Sequence, residues 1–286
     1  MDETQSPKLG RLAVIGAGKM GETLIGALTA AGIVAPEDVV ATARHEARLR
    51  LVAERYGVTT TTDNRAAVRG AEWILLCVKP QVAPAVLVQI APELTADQVL
   101  VSIIAGLTTT QTEQALARGI EADLTAQPTV PVVRAMPNTP ARIGHGMTAI
   151  CGGRAARAEH LATAEALFAR LGRATVLDEK YFDAVTGLSA SGPAFIYMVI
   201  EALAEGGVKV GLPRKVATEL AAQACLGAGH MVVETGDHPA LLKDEVTTPA
   251  GCTMDGILEL EEGGLRVTLI KAVVEARRRA EELVDG

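Results

Sequence analysis

From Arg11 to Leu177, short apolar runs alternate with stretches whose apolar residues recur every three or four positions. Period two or a continuous apolar run reads as strand, and period 3.6 as helix. On that basis Arg11–Ile15, Val39–Thr42, Trp73–Val78, Val99–Ile104, Val130–Met136, Met147–Cys151 and Ala174–Leu177 are predicted strands. Met20–Ala31, Glu46–Tyr56 and Ala155–Leu171 are predicted helices, closed by Gly32, Gly57 and Gly172. The runs WILLCV and VLVSII carry no polar alternation, as in strands buried on both faces of a parallel sheet. Strands alternating with helices predict a doubly wound α/β domain. From Lys180 onward the pattern is helical and rich in Ala, over Asp183–Val210, Pro213–Glu234 and Leu265–Val284. The expected architecture is therefore an N-terminal Rossmann-type dinucleotide-binding domain, residues 1–177, followed by an all-α domain, residues 178–286. Long Ala-rich helices of low charge also suggest burial against another chain.

Composition narrows the function classes. The 286 residues are 49% hydrophobic and only 2% aromatic, so the core is aliphatic. A net charge of −7 argues against a nucleic-acid partner held through phosphates. No uninterrupted apolar run approaches the roughly 18 residues of a membrane span. The polar start, MDETQSPK, reads as a loose tail rather than a signal peptide. Cys77, Cys151, Cys225 and Cys252 lack C-x-x-C spacing and read as reduced core thiols of a cytoplasmic protein. No histidine pair has metal-ligand spacing, so no metal is expected.

Candidate chemistry begins where the first strand ends. Gly16-Ala17-Gly18-Lys19-Met20-Gly21 fits G-x-G-x-x-G between a strand and a helix, the context that gives this motif its worth. Gly16 permits the tight turn, Gly18 a close approach to a pyrophosphate, and Gly21 close packing of helix on strand. An NAD site usually places an acid at the end of the second strand, about 20 residues on. Here that strand ends in Thr42-Ala43-Arg44. A guanidinium suits a 2′-phosphate, so NADPH is expected over NADH. Val78 ends the third apolar run and Lys79 and Pro80 follow it, where such a sheet carries ligand loops. Asn64 is a further cofactor candidate. Met136-Pro137-Asn138-Thr139-Pro140 offers preformed polar groups for a nicotinamide amide or a substrate. Far downstream, Thr-Thr-Pro-Ala-Gly-Cys-Thr, residues 247–253, interrupts the helices with hydroxyls and backbone N–H groups. Opening a new helix, such a turn can hold an anion.

With these residues in hand, the chain resembles the Δ1-pyrroline-5-carboxylate reductases over almost its whole length. The matching pieces are AVIGAGKMG, CVKPQ, RAMPNTP, GLSASGPAF, EGGVKVGLPR and LKDEVTTPAGCTMDGILELEEGG. The last is the most specific. The resemblance implies reduction of a cyclic imine carboxylate to proline by NADPH or NADH, in a homodimer or a decamer of dimers whose active sites draw on both chains. It implies that Thr248, Gly251, Cys252 and Thr253 contact the substrate, with the Thr253 hydroxyl near the imine nitrogen as the catalytic group. It also exposes a departure: the family commonly reads Ser-Pro-Gly-Gly where this chain has Thr248-Pro249-Ala250-Gly251. Either Ala250 keeps a negative φ or the turn differs. A related NADP-dependent imine or keto-acid reductase, or an NADP-binding regulator without turnover, fits the glycine loop but not the turn at 246–253.

Overall fold

The computed structural model describes residues 8–121 and 130–283. The first seven residues of the polar tail, and Val284 at the end of the last predicted helix, lie outside them. By its contacts the chain divides into two compact units, the first running to Ala190 and taking in residues 276–286, the second spanning Ser191–Glu275.

The first unit opens β1 (Leu12–Ile15), α1 (Lys19–Ala30), β2 (Val39–Thr42), α2 (Glu46–Tyr56), β3 (Thr59–Thr61), α3 (Asn64–Val68), β4 (Trp73–Leu76), α4 (Ala83–Ile90), β5 (Val99–Ser102) and α5 (Thr109–Gly119). It continues with β6 (Val132–Met136), β7 (Gly146–Gly152), α6 (Ala158–Ala169), β8 (Gly172–Val176) and the short α7 (Phe182–Val185). The eight strands form one sheet in the order β3-β2-β1-β4-β5-β6-β7-β8. Successive side chains of a strand face opposite sides, and the core obeys this. Leu12, Val14, Leu75, Val101 and Val133 pack under α1, α2 and α6. Ala13, Ile15, Ile74, Leu76 and Leu100 pack under α3, α4 and α5. Both faces are covered, which is why these strands carry no polar alternation.

All neighbouring strands are parallel except β6 and β7. A parallel return needs a crossover of a dozen or more residues. The link from Met136 to Gly146 is shorter, so β7 runs back antiparallel. Edge strand β3 is all threonine and only partly buried, so it carries no hydrophobic signature and was not expected from the pattern.

The helix predicted over Asp183–Val210 is broken. α7 gives way to a π-helical turn at Thr186–Ala190 before α8 (Gly192–Lys209) begins. Pro193 lacks an N–H and so suits a helix start rather than an interior. Asn138 Nδ2 donates to the Ser189 carbonyl at 3.2 Å, diverting that acceptor from helical use. Just upstream, Arg134 is 2% exposed in mid-strand. It donates to Glu179 at 3.0 Å, lies 3.9 Å from Asp183 and stacks over the Phe182 ring. These contacts fasten residues 179–190 onto β6.

The second unit holds α8, α9 (Arg214–Thr235), α10 (Pro239–Glu245), α11 (Cys252–Glu262) and most of α12 (Leu265–Glu281). α8 and α9 meet through Ala204, Ala217 and Ala221, small side chains that let the backbones come close. Much of the unit's apolar surface stays uncovered within the chain: Tyr197 is 62% exposed, Met198 70% and Ile270 64%. By length and composition alone, Glu179–Lys209 and Arg214–Thr235 are apolar enough to cross a membrane. The absence of an uninterrupted apolar run in the sequence did not reveal this.

The cysteines are all unpaired. Burial pushes the Cys77 thiol well up, and the Cys151 thiol up to about 12 with the Glu179 charge adding to it. Both therefore stay protonated. Cys252 is exposed, not a core thiol, because it opens α11.

One acid-sensitive contact stands out in the first unit. Glu93 accepts from Arg69 Nε at 2.7 Å and Arg65 Nε at 2.8 Å. These bonds, Arg69's first, lower its pKa to about 2 from 4.5. A carboxyl lowered by folding stabilises the fold above its unfolded pKa and loses that contribution as pH falls toward its folded one. Glu93→Gln is thus expected to lower the denaturation midpoint at pH 6, with the gap to wild type closing between pH 4.5 and 2. An unchanged gap at low pH would count against the ion pair.

Candidate active site

The register β1–β2 pairs Ile15 with Thr42, and β1–β4 pairs Ile15 with Leu76. These strands therefore end flush, and the loops after Ile15, Thr42 and Leu76 lie side by side. This is the switch point of the sheet, where β1 is followed by β2 on one side and β4 on the other.

Gly16 has φ +100, and a Cβ there would come within 2.8 Å of Val78 Cγ1. A Cβ on Gly21 would meet the Gly16 carbonyl at 2.3 Å. At Gly18 a Cβ would meet nothing within 4 Å, so the loop is open there. Gly18 is also the N-cap of α1 and offers no side-chain cap. The first N–H groups of α1, at Lys19, Met20 and Gly21, therefore lack helical partners. A tight turn, an open approach and uncapped N–H groups at a helix start fit a dinucleotide pyrophosphate.

The other candidates divide by what already occupies them. Thr42 is 1% exposed; its hydroxyl accepts the Gly16 N–H at 3.1 Å and its carbonyl the Ala17 N–H at 2.6 Å. It shapes the loop rather than standing open to a ligand. Val78 does the same from the other side. Asn138 is committed too, accepting the Met147 N–H at 2.9 Å while donating to Ser189. Asn64 starts α3 under the Asp63 cap and pairs with Gln89 at 2.9 Å. Arg44, Lys79 and Thr139 are exposed. Arg44 makes no hydrogen bond or ion pair with any described residue, so its guanidinium is free. The pattern missed Arg48, one helical turn beyond Arg44, which donates to the Ala17 carbonyl at 2.9 Å. Its only signal was the i, i+4 spacing of two arginines.

The hydroxyl-rich turn, in the second unit, joins α10 to α11. The Gly251 N–H donates to the Thr248 carbonyl at 3.0 Å, closing a four-residue turn with Pro249 second and Ala250 third. Ala250 has φ 59. Proline second and a positive φ third is the type II pattern, which favours glycine at that third place. The open question about Ala250 is resolved: it takes the left-handed conformation that glycine takes freely. Such strain costs an alanine roughly 1–2 kcal/mol. Ala250→Gly is expected to raise stability by up to about 1 kcal/mol, net of the looser unfolded chain. Ala250→Val should lower it. A lower melting temperature for the glycine variant would contradict this geometry.

The six threonines of this unit divide by commitment. Thr218, Thr235, Thr247 and Thr268 each donate to the carbonyl four residues back, at 2.8–3.1 Å. Thr248 and Thr253 have no such partner, and both are exposed. The helix that Thr253 helps open has an N-cap, Gly251, without a side-chain cap. Two open hydroxyls beside uncapped N–H groups suit a small carboxylate.

Comparison with known proteins finds a family match for each part of the chain. The family described as pyrroline-5-carboxylate reductase dimerisation matches residues 179–283. The family described as NADP oxidoreductase, coenzyme F420-dependent, matches residues 11–106. A pyrroline-5-carboxylate reductase of Methanosarcina acetivorans is 42% identical over 273 residues, covering 96% of this chain and 97% of the relative. One from Arabidopsis thaliana is 39% identical, covering 96% and 95%. Among solved structures, a Coxiella burnetii pyrroline-5-carboxylate reductase aligns with a TM-score of 0.82 at 32% identity, over 96% of this chain and 99% of that one. The Plasmodium falciparum pyrroline carboxylate reductase with NADP bound aligns with a TM-score of 0.85 at 27% identity, over 97% and 99%. With its Rossmann-type sheet, its helical dimerisation domain and relatives of this identity along nearly its full length, the chain belongs to the pyrroline-5-carboxylate reductase family.

Proposed function

We propose that this protein reduces the C=N bond of 1-pyrroline-5-carboxylate to give L-proline, the last step of proline biosynthesis. The observation that carries the reading is the 42% identity to a pyrroline-5-carboxylate reductase over 96% of the chain. The reduced nicotinamide of NADPH, or of NADH, supplies the hydride, which goes to the imine carbon while a proton reaches the nitrogen.

The residues have separable tasks. Gly18, Lys19, Met20 and Gly21 present backbone N–H groups to the coenzyme's phosphates, while Gly16 and Ala17, whose N–H groups are spent on Thr42, form the turn that Thr42 and Val78 fix. Arg44 takes the 2′-phosphate and so sets a preference for NADPH. Asn64, Lys79, Pro80, Asn138 and Thr139 complete the coenzyme's surroundings. Thr248, Gly251 and Cys252 hold the substrate carboxylate and ring. Thr253 is the catalytic residue, orienting the imine nitrogen and relaying its proton. A threonine hydroxyl has no matched pKa, so most of the rate gain comes from holding the two carbons face to face.

The division of labour follows the chain: residues 1–177 bind dinucleotide, and residues 178–286 bind substrate and dimerise. The exposed apolar faces of α8, α9 and α12 are covered by the same faces of a second copy. The working unit is a cytoplasmic homodimer, alone or as the building block of a decamer, with each active site drawing on both chains.

The test is the initial rate of NADPH oxidation, followed by absorbance, with purified protein and 1-pyrroline-5-carboxylate. Turnover with this imine, and not with open-chain keto acids, is expected. No loss of NADPH absorbance would overturn the proposal.

A further inference from the structure

The glycine loop has a back as well as an open front. At the back lie the carbonyls of Ala17 and Gly18, and one side chain takes both. Arg48 donates from Nε to Ala17 O at 2.9 Å and from Nη2 to Gly18 O at 3.4 Å. Nη2 also donates to Glu22, which sits in the first turn of α1. The other Glu22 oxygen accepts from Arg55 at 3.1 Å and from the Tyr56 hydroxyl at 3.3 Å. The Tyr56 ring lies against Gly26, where a Cβ would come within 2.7 Å of it. Thus α2 is docked closely on α1.

Two consequences follow. In a trans peptide the N–H points opposite the C=O. The Ala17 carbonyl shares its peptide with the Gly18 N–H, and the Gly18 carbonyl with the Lys19 N–H. Holding the Ala17 carbonyl at the back therefore turns the Gly18 N–H to the front, where Gly18 leaves the space open; the Gly18 carbonyl is held first by the Glu22 N–H at 2.9 Å, as the opening bond of α1, and Arg48 adds to it. The second consequence is electrostatic. Burial alone would raise the pKa of Glu22, but Arg48's hydrogen bond and charge, with Tyr56 and Arg55, outweigh it and hold the carboxyl below its ordinary value. Glu22 is thus an anion at the same helix start that would receive a pyrophosphate. Arg48 sits on that anion.

We infer that Arg48 is a positioning residue for coenzyme binding: it aims the Gly18 N–H group at the phosphates and cancels the Glu22 charge beside them. The inference rests on the dinucleotide reading proposed above. Because the pyrophosphate is common to both coenzymes, Arg48 acts on NADPH and NADH alike. It is the counterpart of Arg44, which distinguishes them.

The test is direct titration of NADPH and NADH by their fluorescence, without imine, on wild type, R48M, R48K and the double variant R48M/E22Q. R48M is expected to raise both dissociation constants by the same factor, about tenfold, as for loss of one hydrogen bond to a charged group. Turnover at saturating coenzyme should stay near wild type. R48K keeps a cation on Glu22 but loses the fork across two carbonyls, so it should fall between the two. Adding E22Q to R48M should recover part of the loss, which a merely structural role for Arg48 would not produce. Arg48 is about a third exposed, so R48M should melt near wild type; if it does not fold, R48K decides by the same comparison. Unchanged affinity for both coenzymes overturns the inference. So does a loss confined to NADPH, which would make Arg48 a 2′-phosphate ligand. Wild type binding neither coenzyme would overturn the dinucleotide reading itself.

Discussion

Thr253→Ala is expected to lower turnover by about 10²-fold, the usual size of a lost proton-relay contact, while leaving the Michaelis constant for NADPH unchanged. The expectation comes from what the hydroxyl is free to do. Four of the six threonines in the helical unit spend their hydroxyls on carbonyls four residues back. Thr253 stands in the first turn of α11, behind a turn that offers it no such carbonyl, and so keeps its donor and its acceptor for a ligand. Serine at this position keeps the hydroxyl and should recover most of the rate; valine keeps the shape and should not. The measurement is kcat and both Michaelis constants for the three variants. Near-wild-type turnover in the alanine variant would remove Thr253 from the chemistry and leave it as a residue that merely opens a helix.

Arg44→Ala is expected to raise the Michaelis constant for NADPH by roughly 10- to 100-fold, since hydrogen bonds to a charged group are worth about 1.5–3 kcal/mol. The constant for NADH should change less than about twofold. Arg44 and Arg48 are both arginines near the end of β2, and their partners separate their roles. Arg48 is committed to the Ala17 and Gly18 carbonyls and to Glu22. Arg44 is exposed and uncommitted, immediately after the strand whose end lies flush with the glycine loop. A free guanidinium can close on a phosphate in bidentate fashion without first breaking an ion pair. Steady-state kinetics with both coenzymes would check this. Equal changes for the two would show that Arg44 contributes to the general field of the site and reads no 2′-phosphate.

Some of this was legible along the chain. Strands β1, β2, β4 and β5 were plain because both faces of the sheet are covered there, so each is one apolar run. The glycine loop was plain because its three glycines stand at the fixed spacing of a known motif between a strand and a helix. The turn at 248–253 was visible as a polar interruption between helices. Other elements left little signal. β3 is an edge of threonines, α10 and α11 are short with no fully buried residue, and the break before α8 lies inside an apolar, helix-like stretch.

The sequence by itself therefore showed the apolar strands of the sheet and the change from alternating to all-helical, and it offered the candidate residues of the glycine loop and of the hydroxyl-rich turn. All of these are recorded in near-neighbour spacing. Only the tertiary structure decided which side chains are free and which are spent. It reversed β7 because its link is short, drew Thr42 and Asn138 into holding loops, and set Arg48 behind the glycines. It also forced Ala250 to a positive φ. For Thr42, Asn138 and Arg48 the physical reason is the same: a hydrogen bond joins residues tens of positions apart, and the periodicity of a chain carries no record of such a distance.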